Sequence, residues 1–120
     1  HLYPEEAINL LRECFRILKK GGCIRITVPD LDKYIAFCND PNSVTEEFRK
    51  RFKFSAEAIH HLTQDNFHRS VWNYDILEKV LYDVGFKDVR KCKFGEGYDK
   101  NLILDLADRE FETLYVEALK

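Results

Sequence analysis

A chain of 120 residues with 45% hydrophobic and 13% aromatic side chains can bury one core, and ordinary domain sizes leave no room for a second. Nineteen basic against 21 acidic side chains give a net charge of -2, so no global field draws the chain to nucleic acid or to an anionic membrane. No apolar run nears the roughly 20 residues that cross a bilayer, and the opening HLYPEEAINL lacks the charged-then-apolar pattern of a secretory signal, so the composition reads as soluble and cytoplasmic.

Pro4, Glu5 and Glu6 suit a first helical turn, where a missing donor costs nothing and carboxylates meet the positive dipole end. Ala7, Ile8, Leu11, Cys14, Phe15 and Leu18 then recur at helical spacing, and Lys19, Lys20 and Gly21 supply the stop. From Cys23 to Val28 the β-branched residues predict a strand, with Ile24, Ile26 and Val28 on one face. Arg25 on the other face suggests a place away from the sheet centre. Pro29 ends the pairing and Asp30 caps a helix over Leu31 to about Cys38. Ser43 with Glu46 forms a capping-box pattern for a helix to about Phe52, and Ser55 starts another over Ala56 to Leu62, which makes residues 32–72 a mainly helical insertion. After the polar TQDNFHRS, Asn73 caps a helix whose Ile76, Leu77, Val80, Leu81 and Val84 face inward, and Gly85 with Phe86 stops it. Residues 87–94 alternate as a second strand and 112–119 as a third.

The first two strands, joined through a helix, are expected to run parallel, and the last two antiparallel. The prediction is an α/β chain with a mixed three-stranded sheet, marginal on its own. Cys14, Cys23, Cys38 and Cys92 lie far apart with no close pair, which predicts four buried free thiols and no disulfide framework.

The stretch EEAINLLRECFRILKKGGCIRITVPDLDKY resembles the part of class I S-adenosylmethionine-dependent methyltransferases in which a helix carrying L.E..RVLKPGG leads into the fifth strand. LEKVLYDVGFKDVRKC is similar to the next helix and sixth strand of that family, and DREFETLYVEALK to the last strand in a group of predicted bacterial members. Lys20 stands where the family usually has proline, and Tyr3 where a serine or threonine cap is common. The opening His1-Leu2 resembles the tail of an EHL loop after the fourth strand, so the chain would begin in the middle of a Rossmann-like fold and form the carboxyl-terminal part of one methyltransferase domain.

In that family a glycine-rich turn after the first strand cradles the cofactor and an acidic residue after the second strand holds its ribose; here neither is found. The only GxG, Gly95-Glu96-Gly97, lies between the last two strands and fails the strand-turn-helix context. The resemblance therefore implies that S-adenosylmethionine is held mainly by upstream residues, with His1 and Leu2 near its methionine end.

Ligands of open α/β sheets sit beyond the carboxyl ends of the parallel strands. That places Asp30 there, either as substrate-orienting carboxylate or as helix cap. The polar-aromatic cluster of His60, His61, His68 and Arg69, with Trp72 and Tyr74 close by, borders the insertion, where the resemblance implies substrate recognition, and His68, Arg69 and Trp72 are its substrate-binding candidates. His68 is the candidate general base for an oxygen nucleophile, because histidine titrates near neutrality. A zinc site from His60, His61, His68 and Cys38 is disfavoured, since adjacent helical histidines diverge by about 100° and no close cysteine pair accompanies them. Arg49, Lys50, Arg51 and Lys53 beside Phe52 and Phe54 read either as a nucleic-acid surface or as a solvated helix face; the near-neutral charge favours the latter, and a phosphate-bearing or sugar-nucleotide substrate also suits them.

A small molecule or saccharide is the favoured methyl acceptor, and nucleic acid a disfavoured partner. The alternatives are a non-catalytic α/β module that binds or assembles, including a homodimer through the bare sheet edge, and another doubly wound enzyme such as a nucleotide-sugar transferase.

Overall fold

Helix α1 spans Pro4–Ile17 in the computed structural model, which describes residues 1–120. Its first turn is closed by the Glu6 carboxylate, which accepts from the Tyr3 amide at 2.9 Å. Ile8, Leu11, Phe15 and Leu18 form the face that packs on the sheet. Gly21, at φ +82°, turns the chain out of the helix, and a Cβ on Gly22 would stand 2.8 Å from the Lys19 carbonyl. The charge that answers the helix end comes from far along the chain: the Lys120 ammonium donates to the Leu18 carbonyl at 2.8 Å and to that of Arg16 at 3.3 Å.

Three strands follow, β1 at Cys23–Pro29, β2 at Lys87–Cys92 and β3 at Thr113–Leu119, in the spatial order β1-β3-β2. Both ladders are antiparallel. This corrects the expected mixed sheet: β1 and β2 do run in the same direction, but they never pair, because β3 fills the place between them. The reason is burial. Leu114 to Ala118 are shielded on both faces, as only a central strand can be, whereas no residue of β1 is fully buried and β2 carries a register shift between Lys87 and Arg90 with Asp88 at φ +51°.

One face of this sheet is covered by α1 and by α5 (Tyr74–Val84), whose Leu77, Val80 and Leu81 join Leu11, Val89, Leu114 and Val116 in the main core. Asn73 caps α5 by accepting from the Ile76 amide at 3.2 Å, and Gly85 (φ +123°) ends it, with Phe86 buried edge-on to Phe15 at 5.0 Å.

The excursion between β1 and α5 leaves and returns at one point. Asp30 bridges Trp72, and the Leu31 amide donates to the Trp72 carbonyl at 2.9 Å. Helices α2 (Leu31–Asn39), α3 (Glu46–Arg51) and α4 (Ser55–Thr63) build an aromatic core of their own from Tyr34, Phe37, Phe48, Phe52, Ala58 and Leu62. The cap of α3 is Thr45, accepting from the Phe48 amide at 3.3 Å, and not Ser43, because Pro41–Ser43 form a separate 3-10 turn capped by Asp40. The thiols are free as expected, but none is fully buried, and Cys38 is exposed on the outer side of α2.

Candidate functional site

Behind the α1/α5 layer, the second face of the sheet carries Arg25, Thr27, Tyr115 and Glu117. Cross-strand register sets Arg25 and Arg90 on either side of Glu117, making a lateral cation-anion-cation row across all three strands. The Arg25 guanidinium grips Asp105 through Nε at 2.9 Å and Nη2 at 2.6 Å, and reaches Glu117 through Nη1 at 2.9 Å; Arg90 meets the other Glu117 oxygen at 3.2 Å. The connection between β2 and β3 wraps this row: the Gly95 amide donates to Asp105 at 2.8 Å and the Tyr98 amide to Glu117 at 2.7 Å. A Cβ on Gly97 would overlap the Glu117 carboxylate. The GxG segment thus closes around this chain's own carboxylates.

Burial opposes ionisation of Glu117, but hydrogen bonds from Tyr98 and the two arginines outweigh it and hold its carboxyl below the usual range. The Arg25 hydrogen bond does the same for Asp105. Asp105, Glu117, Arg90 and Tyr115 were not singled out from the sequence. The one available signal was a glutamate inside an otherwise apolar strand.

Asp105 and Tyr115 also line a cleft of about 400 Å³ at the carboxyl end of β1. Its opposite wall comes from the helical insertion and the first residue of the chain: His61 on α4, His68, and His1, whose ring meets that of His68 edge-on at 5.4 Å. Asn66 and Phe67, both at φ near +60°, turn the chain back after α4, and His68 Nδ1 lies 2.9 Å from the Leu62 carbonyl. A carbonyl only accepts, so that nitrogen carries a hydrogen; in the neutral ring Nε2 is then an acceptor, and it has no partner within the chain. His61 stands between Asp65 at 3.0 Å and Glu112 at 3.5 Å. Glu112, itself buried, accepts from the Tyr34 hydroxyl and from Arg109 Nη1 at 2.9 Å. Burial, then that carboxylate, pushes the Tyr34 phenol up. The Tyr115 hydroxyl is buried and finds no hydrogen-bond partner.

A second, more apolar pocket of about 260 Å³ adjoins the first across His1 and His68, and Leu2, Leu10, Val71 and Trp72 line it. Trp72 donates to the Ser70 hydroxyl, which donates to the Leu2 carbonyl, each at 2.8 Å, so the chain start is tied to the segment after His68. The structure therefore gathers His1, Leu2, His68 and Trp72. It does not bring in Arg69, which donates to the Tyr3 hydroxyl at 2.6 Å and lies over that ring. Asp30 caps α2, faces Lys91 at 3.6 Å and opens on a different groove, with Lys33 and Phe111. His60 is exposed.

The basic run disperses into local contacts. Arg49 donates to the Val44 carbonyl at 2.6 Å, Lys50 pairs with Glu47 at 3.3 Å, and Arg51 lies over Phe111. No family model, curated protein or solved structure matches this sequence. No helix is long and apolar enough to cross a membrane.

Proposed function

We propose that the chain is the acceptor-side part of a class I S-adenosylmethionine-dependent methyltransferase domain, with the polar cleft as the acceptor site. The observation that carries the reading is the sheet: two co-directional strands linked through helices, and a final strand that runs antiparallel to both. The cleft lies at the carboxyl end of β1, where ligands of such sheets collect. In this reading His68 Nε2 takes the proton from an acceptor hydroxyl, and Leu62 fixes the tautomer that allows it.

The residues present do not fit the cofactor by themselves. The GxG turn that would have to approach it is filled by the Glu117 carboxylate, and His1 and Leu2 offer wall contacts only. In this reading cofactor binding falls to residues other than these 120. The test is a calorimetric titration of S-adenosylhomocysteine into the chain extended to its natural start, with the 120-residue chain as control. Binding by the extended form alone supports the reading; binding by neither, or by the short chain alone at micromolar affinity, overturns it.

A second reading, assembly without catalysis, is favoured by the free edge of β1 together with exposed Leu10 and Ile17 on α1. It requires concentration-dependent self-association in sedimentation. A monomer at every concentration removes it.

A further inference from the structure

We infer that the cleft between His68 and Tyr115 binds a neutral, hydroxyl-rich small molecule of the saccharide or polyol class. The inference rests on the proposed function only for the ligand's fate as methyl acceptor; binding itself is a property of residues in this chain.

Two unanswered groups line the cleft. The Tyr115 hydroxyl is shielded from solvent on a side chain that is 4% exposed, yet it has no partner. A buried polar group left in that state costs about 1–3 kcal/mol, which a ligand hydroxyl bonded to it would recover in part. His68 Nε2 is the other, an acceptor fixed by the Nδ1 contact with Leu62. One group offers a donor and the other an acceptor, and hydroxyls satisfy both kinds.

The charges in the same cleft are already answered. Asp105 is held by Arg25, and Glu112 by Tyr34 and Arg109. The arginine and the carboxylates that line the cleft thus already sit in ion pairs or hydrogen bonds, which leaves a charged ligand less to gain than an uncharged one. What remains is uncharged hydrogen-bonding capacity beside apolar surface. Leu104 and Leu106, 83% and 64% exposed, are the least packed part of the wall, and they supply a face for the CH groups of a sugar ring. The Tyr115 hydroxyl is shielded from solvent in the free chain, so a ligand bonds to it only when the cleft wall shifts.

The test titrates myo-inositol and maltose, with phosphate and citrate as anionic controls, into isotope-labelled protein while the His68 ring nitrogens and the amides of residues 104–106 are followed by NMR. The expected result is a saturable shift at His68 Nε2 and across 104–106 with at least one neutral probe in the millimolar range, weakened about tenfold by Tyr115→Phe. Thermal stability of that variant should equal or exceed the parent's, because the change removes an unpaired buried hydroxyl. Should Tyr115→Phe fail to fold, His68→Ala carries the same comparison through the 104–106 amides. No saturable shift with either neutral probe, tighter binding of citrate or phosphate, or an affinity unchanged in the variants overturns the inference. The cofactor titration above is read on a different ligand and a longer chain, so failure of one leaves the other standing.

Discussion

Replacing Arg25 with methionine removes the cation that two buried carboxylates share. The three side chains are 3%, 2% and 0% exposed for Arg25, Asp105 and Glu117. After the change Glu117 keeps Arg90 and the Tyr98 amide, while Asp105 keeps only the Gly95 amide. Breaking a buried pair from one side costs about 3–5 kcal/mol, a large part of the ~5–15 kcal/mol that holds a domain of ordinary stability. The sign of the pH dependence follows from the two carboxyls. Both are depressed in the folded parent, so their stabilisation is complete above the unfolded values of 3.8 and 4.5 and is lost as pH falls through the folded values. In Arg25→Met the largest lowering contact on Asp105 and one of those on Glu117 are gone, so burial draws both carboxyls back up. The deficit is therefore largest near neutrality and narrows as pH drops below about 4.5. Urea unfolding of parent and variant across this range measures it. A deficit below about 1 kcal/mol, or one indifferent to pH, would show that the row is screened like a surface pair and refute the reasoning.

Gly97→Ala should destabilise by about 1–3 kcal/mol in the same assay, since the added methyl meets a carboxylate pinned from three sides. Gly22→Val should loosen the α1-to-β1 turn, seen as faster hydrogen exchange at Gly21 and Lys120, whose amides tie this turn to the end of β3. Phe48→Ala should cost about 3–5 kcal/mol and release the insertion, with α2 to α4 amides losing protection before those of β3. At alkaline pH, burial and then Glu117 push the Cys23 thiol up to about 11 from 9.0, so its contribution is full below pH 9.0 and is lost as pH rises to about 11. Cys23→Ala should flatten that part of the stability profile.

Local signals in the sequence carried the element boundaries. Pro4 with Glu6, Asn73, and the glycines at 21 and 85 each act within one turn of where they stand, and their effects are visible in a short window. Thr45 was missed in favour of Ser43 because both precede a glutamate-bearing turn, and only the 3-10 turn at Pro41 separates them. Strand neighbours were legible in direction but not in order: nothing local to residues 113–119 states that they divide β1 from β2. The site divides in the same way. His61 and His68 stand out as polar aromatics on a helical insertion. Glu112, Arg109 and Tyr115 lie more than 40 residues further along and reach the cleft only through the β3 register.

The central position of β3 sets an order on how this protein can be made. Every ladder in the sheet uses residues 113–119, so no two strands can pair while the ribosome is still adding the segment before them. Until then α1, β1, α5 and β2 have no sheet to dock on, whereas the aromatic core of α2 to α4 closes within residues 31–63 and can form early, apart from the packing of Phe111. Between residues 92 and 113 the nascent chain thus carries two strands waiting for a third, a period in which a chaperone has the most to shield.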